Sequence, residues 1–174
     1  MAGPLAGKVA VVTGSSRGIG RGTAVALGEQ GATVYVTGRS TGSGELTIDR
    51  TVELVEAAGG RGIAVQTDHG DDEQIAALFD RVRADEGKLD ILVNNVYKIP
   101  DPPAWGGGFW DHPISIWDDQ VGIGLRAEQV NVPGKAGGAG VVAGLAHAQD
   151  VAVDVLRRAR RAAGVGVFVR AGVG

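Results

Sequence analysis

The amino-acid sequence predicts an α/β fold with a doubly wound parallel sheet, and two observations predict it. Short apolar runs alternate with segments of helical periodicity in the order β-α-β-α-β-α-β, and a glycine-rich turn joins the first run to the first helix. Because crossovers between parallel strands are right-handed, this order places helices on both faces of the sheet. The predicted strands, which are apolar, β-branched or aromatic, are Val9–Val12, Thr33–Thr37, Ile63–Val65 and Asp90–Asn94.

The three intervening helices have recognisable ends. The first runs from Ile19 towards Gly31, a residue suited to the left-handed position after a helix. The second ends at Gly59 and Gly60. The third begins at Asp71, with Gln74 at the spacing of a capping box. Its apolar residues recur at i, i+3, i+4 and i+7, the spacing of one buried helix face, and are Ile75, Leu78, Phe79 and Val82.

The composition excludes several classes of protein. The chain of 174 residues has a net charge of −3, so it has no basic excess with which to bind nucleic acid. It contains no Cys, and its three His have no metal-ligand spacing. No apolar stretch of ~18 residues predicts a membrane span, and the N-terminus lacks the pattern of a signal peptide. We therefore expect a cytoplasmic protein without a metal site that binds neither nucleic acid nor a membrane.

The turn after the first strand predicts a phosphate site. This glycine-rich loop, Thr13–Gly20, reads T-G-S-S-R-G-I-G. Glycines let the backbone approach a diphosphate closely, and the following helix presents free N–H groups to the anion. The position of the loop between a strand and a helix favours a dinucleotide. The alternative is that the glycines serve only close packing of the strand on the helix.

The end of the second strand favours NADP over NAD. An acidic residue here would bind the ribose 2′-hydroxyl of NAD, but the sequence reads Val36-Thr-Gly-Arg39-Ser40. The Arg39 guanidinium matches a 2′-phosphate, and Arg17 adds a second positive charge. The alternative is that both arginines are solvated surface residues.

Residues from about Gly7 to Arg126 resemble the short-chain dehydrogenase/reductase family. The resemblance rests on the glycine-rich loop, on Asp68 after the third strand and on Asn94-Asn95 at the end of the fourth. It implies a Rossmann-type sheet and hydride transfer between NADP(H) and a small-molecule carbonyl or alcohol. It places Arg39 at the 2′-phosphate, Asp68 at adenine, and Asn94 at the ribose and the adjacent backbone. The cofactor-binding residues it implies are Gly14, Ser16, Arg17, Gly18, Ile19, Gly20, Arg39, Ser40, Asp68 and Asn94.

The sequence departs from that family where catalysis would occur. The family's Ser and its Tyr-x-x-x-Lys pair, which supply the proton in carbonyl reduction, have no counterpart. The only tyrosines are Tyr35 and Tyr97; Lys98 follows Tyr97, but Asp101 stands where the motif would place Lys. Tyr97 also replaces a glycine beside the expected nicotinamide ribose. We therefore assign no catalytic residue and expect impaired turnover.

The composition changes sharply near residue 126. In the last 49 residues, Ala, Val, Gly and Arg account for 37, and Ser, Thr, Tyr, Trp and Ile are absent. The sequence thus divides into an NADP-binding domain over residues 1–126 and an atypical tail over residues 127–174, and the sheet is incomplete on its C-terminal side. One hypothesis is that the tail is a frameshifted reading of a GC-rich gene, which translation of the source DNA in the other frames tests. The alternative is natural divergence, with a helix over Ala143–Ala163 and a strand over Val165–Val169.

Three functions remain open from the sequence. The chain is an NADP(H)-dependent oxidoreductase, a catalytically inactive nucleotide-binding module, or a truncated or frameshifted product. The resemblance also implies a possible homo-oligomer, because family members usually associate through the helices after strands four and five.

Overall fold

The computed structural model describes residues 3–98, 109–116, 118 and 123, together with the backbone of residues 140–143. Five strands form one sheet: β1 (Val9–Val12), β2 (Thr33–Gly38), β3 (Arg61–Gln66), β4 (Ile91–Asn94) and β5 (Gly140–Ala143). Their order across the sheet is β3-β2-β1-β4-β5, and every pairing is parallel. The predicted parallel sheet is therefore confirmed.

Three helices connect the first four strands. They are α1 (Gly18–Glu29), α2 (Ile48–Ala57) and α3 (Asp72–Glu86), followed by a 3-10 turn at Phe109–Asp111. Residues 114–116, 118 and 123 are also helical. Within the described residues, no helix is long and apolar enough to cross a membrane.

The sheet buries a separate hydrophobic cluster on each face. Alternate strand residues point to opposite faces, so that Val12 packs towards α1 and α2 whereas Val11 packs towards α3. This arrangement confirms the doubly wound fold. The helix residues of the first cluster are Ala24, Leu27, Ile48 and Val55, and those of the second are Ile75, Leu78, Phe79 and Val82, the predicted stripe.

The start of α3 is capped, although by a different arrangement from a capping box. The Asp71 carboxylate accepts hydrogen bonds from the backbone N–H groups of Glu73 and Gln74 at 2.9 and 3.2 Å. The Gln74 side chain donates to the Asp71 carboxylate at 2.8 Å and accepts from the backbone N–H of Asp68 at 2.9 Å. Gln74 thus joins the cap to the segment that carries Asp68.

Strand β5 lies in the tail, where the sequence analysis predicted no strand before residue 165. It pairs with β4 from Ile91↔Gly140 to Asn94↔Ala143. Two consecutive valines within an Ala- and Gly-rich segment do not distinguish a short strand from the start of a helix, which explains the missed element. The rest of the predicted helix, the predicted strand Val165–Val169 and the predicted boundary at residues 126 and 127 lie outside the described residues.

Candidate cofactor-binding site

The carboxyl ends of β1 to β4 meet at one edge of the sheet, and the predicted site residues lie along it. The glycine-rich loop follows β1, Arg39 follows β2, Asp68 lies just beyond β3, and Asn94 ends β4. The chain runs outwards from β1 to β3 and then returns to the other side of β1 as β4. Such a reversal opens a crevice at the carboxyl edge, where open α/β sheets bind their ligands.

Two buried hydroxyl side chains anchor the glycine-rich loop to the sheet. The Thr13 hydroxyl donates to the Val93 carbonyl at 3.3 Å. The Ser15 hydroxyl donates to the Val12 carbonyl at 2.8 Å and accepts from the Thr37 N–H at 3.0 Å. Both side chains therefore point into the sheet and do not fill the crevice.

Asn95 clamps the same loop from β4, a role that the sequence analysis did not assign. Its side-chain amide donates to the carbonyls of Thr13 and Gly14 at 2.9 and 3.0 Å. Its backbone N–H donates to the Thr13 hydroxyl at 2.9 Å. Asn95 thus makes the contacts to adjacent backbone that the resemblance had placed on Asn94.

The three glycines of the loop have different surroundings. A Cβ on Gly14 would lie 2.9 Å from the Val96 Cα, and a Cβ on Gly20 would lie 2.5 Å from the Asn95 amide nitrogen. These two residues serve close packing, as the alternative interpretation of the loop proposed. Gly18 differs, because a Cβ there would meet no atom within 4 Å, although its φ of +56° favours glycine. Open space therefore lies beside Gly18, at the start of α1.

The first turn of α1 leaves its N–H groups available to an anion. Arg17 occupies the cap position without a side-chain cap hydrogen bond, and no acidic residue lies in the first turn. Arg17 and Ile19 are exposed, whereas Ser16 is buried. A diphosphate beside Gly18 would meet the positive end of the helix dipole with no competing carboxylate from that turn.

Arg39 and Asp68 lie together at the outer end of the crevice. An Arg39 guanidinium nitrogen is 3.9 Å from an Asp68 carboxylate oxygen, and 77% of the Arg39 side chain is exposed. The Asp68 carboxylate also accepts the Gly70 N–H at 2.9 Å. The Ser40 carbonyl accepts the Ile48 N–H at 2.9 Å, which fixes the chain just after Arg39. The long, solvent-exposed pair with Asp68 leaves the Arg39 guanidinium accessible to an anion from solvent.

His69 is buried in the turn beneath this end of the crevice. Its Nε2 lies 2.8 Å from the Thr37 hydroxyl oxygen. That hydroxyl donates to the Val12 carbonyl at 3.2 Å, so it accepts its second hydrogen bond from the His69 Nε2–H. The His69 Nδ1 has no partner. Burial lowers the pKa of His69 from 6.5 to about 4, against a smaller opposing effect of Asp68.

Asn94 carries an unsatisfied buried amide at the end of β4. The residue is 6% exposed, and neither its amide nitrogen nor its amide oxygen has a hydrogen-bond partner. Buried polar atoms in native structures are nearly always paired, so an orphaned amide marks a place for a ligand group or an ordered water. Asn94 thus fits the ribose contact that the resemblance implies.

The described residues do not form a proton donor for hydride chemistry. The Tyr35 hydroxyl donates to the Asp85 carboxylate at 3.2 Å, at the end of α3 opposite the crevice. Burial and then that hydrogen bond raise the pKa of Tyr35 to about 12, which disfavours proton release. Tyr97 is 44% exposed beyond β4, next to exposed Lys98. Among the described residues, no cluster of His, Cys, Asp or Glu could hold a metal ion.

Comparison with known proteins identifies the family. A family model described as short chain dehydrogenase matches residues 8–119. The chain belongs to the short-chain dehydrogenase family. The matched residues contain the glycine-rich loop, Arg39, Asp68 and Asn94, so the whole crevice described above lies within the family region.

The matched part of the chain spans between about a third and a half of the length of the curated relatives. It is 43% identical over 129 residues to the mouse protein named Dehydrogenase/reductase SDR family member 1, covering 72% of this chain and 40% of that protein. It is 41% identical over 91 residues to Glucose 1-dehydrogenase 2 of Bacillus subtilis, covering 52% of this chain and 34% of that protein.

Solved structures share the fold. A metagenomic short-chain oxidoreductase in complex with NADP superposes with a TM-score of 0.67 at 31% identity, covering 82% of this chain and 65% of that one. A short-chain dehydrogenase/reductase structure from Burkholderia xenovorans gives a TM-score of 0.69 at 33% identity, covering 82% and 55%. These matches confirm the Rossmann-type fold.

Proposed function

We propose that the chain binds NADP(H) at the carboxyl edge of its sheet, as the cofactor-binding part of a short-chain oxidoreductase. The diphosphate lies beside Gly18, and its oxygens accept hydrogen bonds from the N–H groups of the first turn of α1. The adenosine end extends towards Arg39, Ser40 and Asp68. The single observation that carries the proposal is the open space at Gly18, in a loop whose Thr13 and Ser15 side chains are turned into the sheet.

The choice of NADP over NAD rests on the charge at the outer end of the crevice. No carboxylate directly follows β2, and the exposed guanidinium of Arg39 stands in its place. A 2′-phosphate offers oxygens that match the planar donors of arginine. The NADP complex of the metagenomic relative is consistent with this choice.

The residues of this chain would bind and orient the cofactor. When bound, NADPH supplies a hydride for a carbonyl, and NADP accepts one from an alcohol. The buried, unpaired Asn94 amide at the end of β4 would hold a ribose hydroxyl. Exposed Ile19 provides an apolar surface at the start of α1.

A second candidate function is a nucleotide-binding module without turnover. Its support is the position of the tyrosines, since the Tyr35 hydroxyl faces the opposite end of α3 and Tyr97 has no lysine four residues later. Losing a general acid costs ~10²–10⁴ in rate. An assay of NADPH oxidation by the full chain over a panel of small carbonyls separates the two functions, because only an oxidoreductase consumes NADPH faster than the protein-free control.

Replacement of Arg39 tests the cofactor assignment. We expect Arg39→Met to raise the Kd for NADPH roughly tenfold or more, because a charge-assisted contact to the 2′-phosphate is lost. The Kd for NADH, which has no such phosphate, should change less than about twofold. Fluorescence titration of both dinucleotides measures the two constants.

Arg81→Met is the matched control. It removes the same charge from the exposed face of α3, where Arg81 lies 3.4 Å from the Asp85 carboxylate, and it should leave both constants unchanged. The assignment to NADP is wrong if Arg39→Met weakens both dinucleotides equally, or neither.

A further inference from the structure

We propose that Arg21 is a positioning residue that couples the two loops of the dinucleotide site, so that the diphosphate and 2′-phosphate contacts are set together. The inference rests on the proposed function and adds to it a residue in the second turn of α1. The two loops are the glycine-rich loop and the β2–α2 loop, residues 39–47. The guanidinium of Arg21 connects these two loops.

The Arg21 side chain bonds three segments at once. One terminal nitrogen donates to the Ser16 carbonyl in the glycine-rich loop and to the Glu45 carbonyl in the β2–α2 loop. Its Nε donates to the Thr51 hydroxyl in α2 at 3.1 Å. That hydroxyl in turn donates to the Ser15 carbonyl at 2.9 Å.

These contacts fix the direction of two peptide groups. A trans peptide is planar, and its C=O and N–H point in opposite directions. Because Arg21 holds the Ser16 carbonyl, the N–H of Arg17 is turned away from the guanidinium. Because Thr51 holds the Ser15 carbonyl, the N–H of Ser16 is fixed in the same manner. Two amides of the glycine-rich loop, next to the proposed diphosphate position, are therefore oriented before any ligand arrives.

The bond to Glu45 carries the same constraint to the residues around Arg39. Residues 41–46 are exposed, so the β2–α2 loop gains little order from burial. The loop is held instead by hydrogen bonds. Arg21 donates to the Glu45 carbonyl, and the Gly42 N–H donates to the Asp49 carboxylate at 2.7 Å. Preordering of binding groups lowers the entropy that a ligand must overcome. Loss of the Arg21 hydrogen bonds should therefore reduce the contribution of Arg39 to the affinity for NADPH.

A double-mutant cycle on the full chain tests the coupling. The variants are Arg21→Lys, Arg39→Met and their combination, with the Kd for NADPH and NADH measured by fluorescence titration. Lysine keeps the charge but cannot hold the Thr51 hydroxyl and two carbonyls with one planar group. We expect Arg39→Met to raise the NADPH Kd roughly tenfold in the unmodified chain and at most about threefold in the Arg21→Lys background. The NADH constants should show no such coupling.

Arg50→Lys is the matched control for Arg21→Lys. Arg50 also contacts Glu45, at 3.4 Å from its side-chain carboxylate, but it forms its ion pairs with the Glu45 and Glu53 side chains rather than joining the two loops. Its effect should add to that of Arg39→Met without coupling. If Arg21→Lys fails to fold, as shown by thermal melting, Arg21→Gln replaces it in the cycle.

The outcomes separate the inference from the function beneath it. Additive effects of Arg21→Lys and Arg39→Met, with NADPH still preferred by the unmodified chain, overturn the inference alone. An unmodified chain that binds neither dinucleotide overturns both the inference and the proposed function. Coupling that appears equally with NADH overturns the link to the 2′-phosphate.

Discussion

The Gly20→Ala variant is expected to lose dinucleotide binding and to unfold more easily by about 3 kcal/mol. The added Cβ would lie 2.5 Å from the Asn95 amide nitrogen and 2.6 Å from the Gly14 carbonyl oxygen. Neither neighbour can move cheaply, because the Asn95 amide bonds the carbonyls of Thr13 and Gly14. The substitution therefore pushes the loop away from α1 and breaks the clamp. Chemical denaturation and NADPH titration measure the two effects.

Gly22→Ala provides the control, two residues further along α1. A Cβ there meets no atom within 4 Å. Glycine in a helix interior is destabilising by roughly 0.5–1 kcal/mol relative to alanine, so this variant should be slightly more stable and should bind as before. A Gly20→Ala protein with unchanged stability and affinity would show that the described packing of the loop is wrong.

The free energy of unfolding is expected to fall by about 3 kcal/mol between pH 6.5 and pH 4 on account of His69. The pKa of His69 is about 4 in the folded protein against 6.5 ordinarily, since burial disfavours the imidazolium. Between these values the unfolded chain binds a proton that the folded chain does not, so stability is lost as the pH falls. Denaturation curves at a series of pH values measure this slope.

His69→Gln should flatten that slope, because an amide does not titrate in this range. His112→Gln, outside the buried network, is the control and should keep the slope. The capping carboxylate does not confuse the result, because the hydrogen bond from Gln74 lowers the pKa of Asp71 below its usual 3.8. Its stabilisation is fully present above that value and is lost only at lower pH. An unchanged slope in His69→Gln would contradict the buried, neutral imidazole.

The strands near the centre of the sheet were predictable because burial on both faces requires apolar side chains, which appear in the sequence as short apolar runs. All four residues of β1 are buried and apolar, and so form a continuous apolar run. Strand β3 extends beyond the predicted Ile63–Val65 at both ends, where the exposed residues Arg61 and Gln66 join the sheet by backbone pairing with β2. Such backbone pairing leaves no hydrophobic pattern in the sequence.

The glycine-rich loop was predictable from spacing, whereas the residues that hold it were not. Asn95 clamps a loop 82 residues earlier in the chain, and Arg21 joins two loops and a helix. These contacts form only when distant segments fold together, and nothing in the local sequence around Asn95 or Arg21 predicts which segments their side chains will contact. The burial of His69 likewise depends on its contact with Thr37, which lies 32 residues earlier in the chain.

The most direct test of the central claim is an ¹H–¹⁵N NMR titration of the full chain with NADP. The claim is that the diphosphate lies at the start of α1 beside Gly18. It predicts saturable shifts of the backbone amides from Ser16 to Gly20, with the N–H of Arg39 and Ser40 shifting more with NADP than with NAD. Saturable shifts confined to other parts of the chain, or none at all, would contradict it.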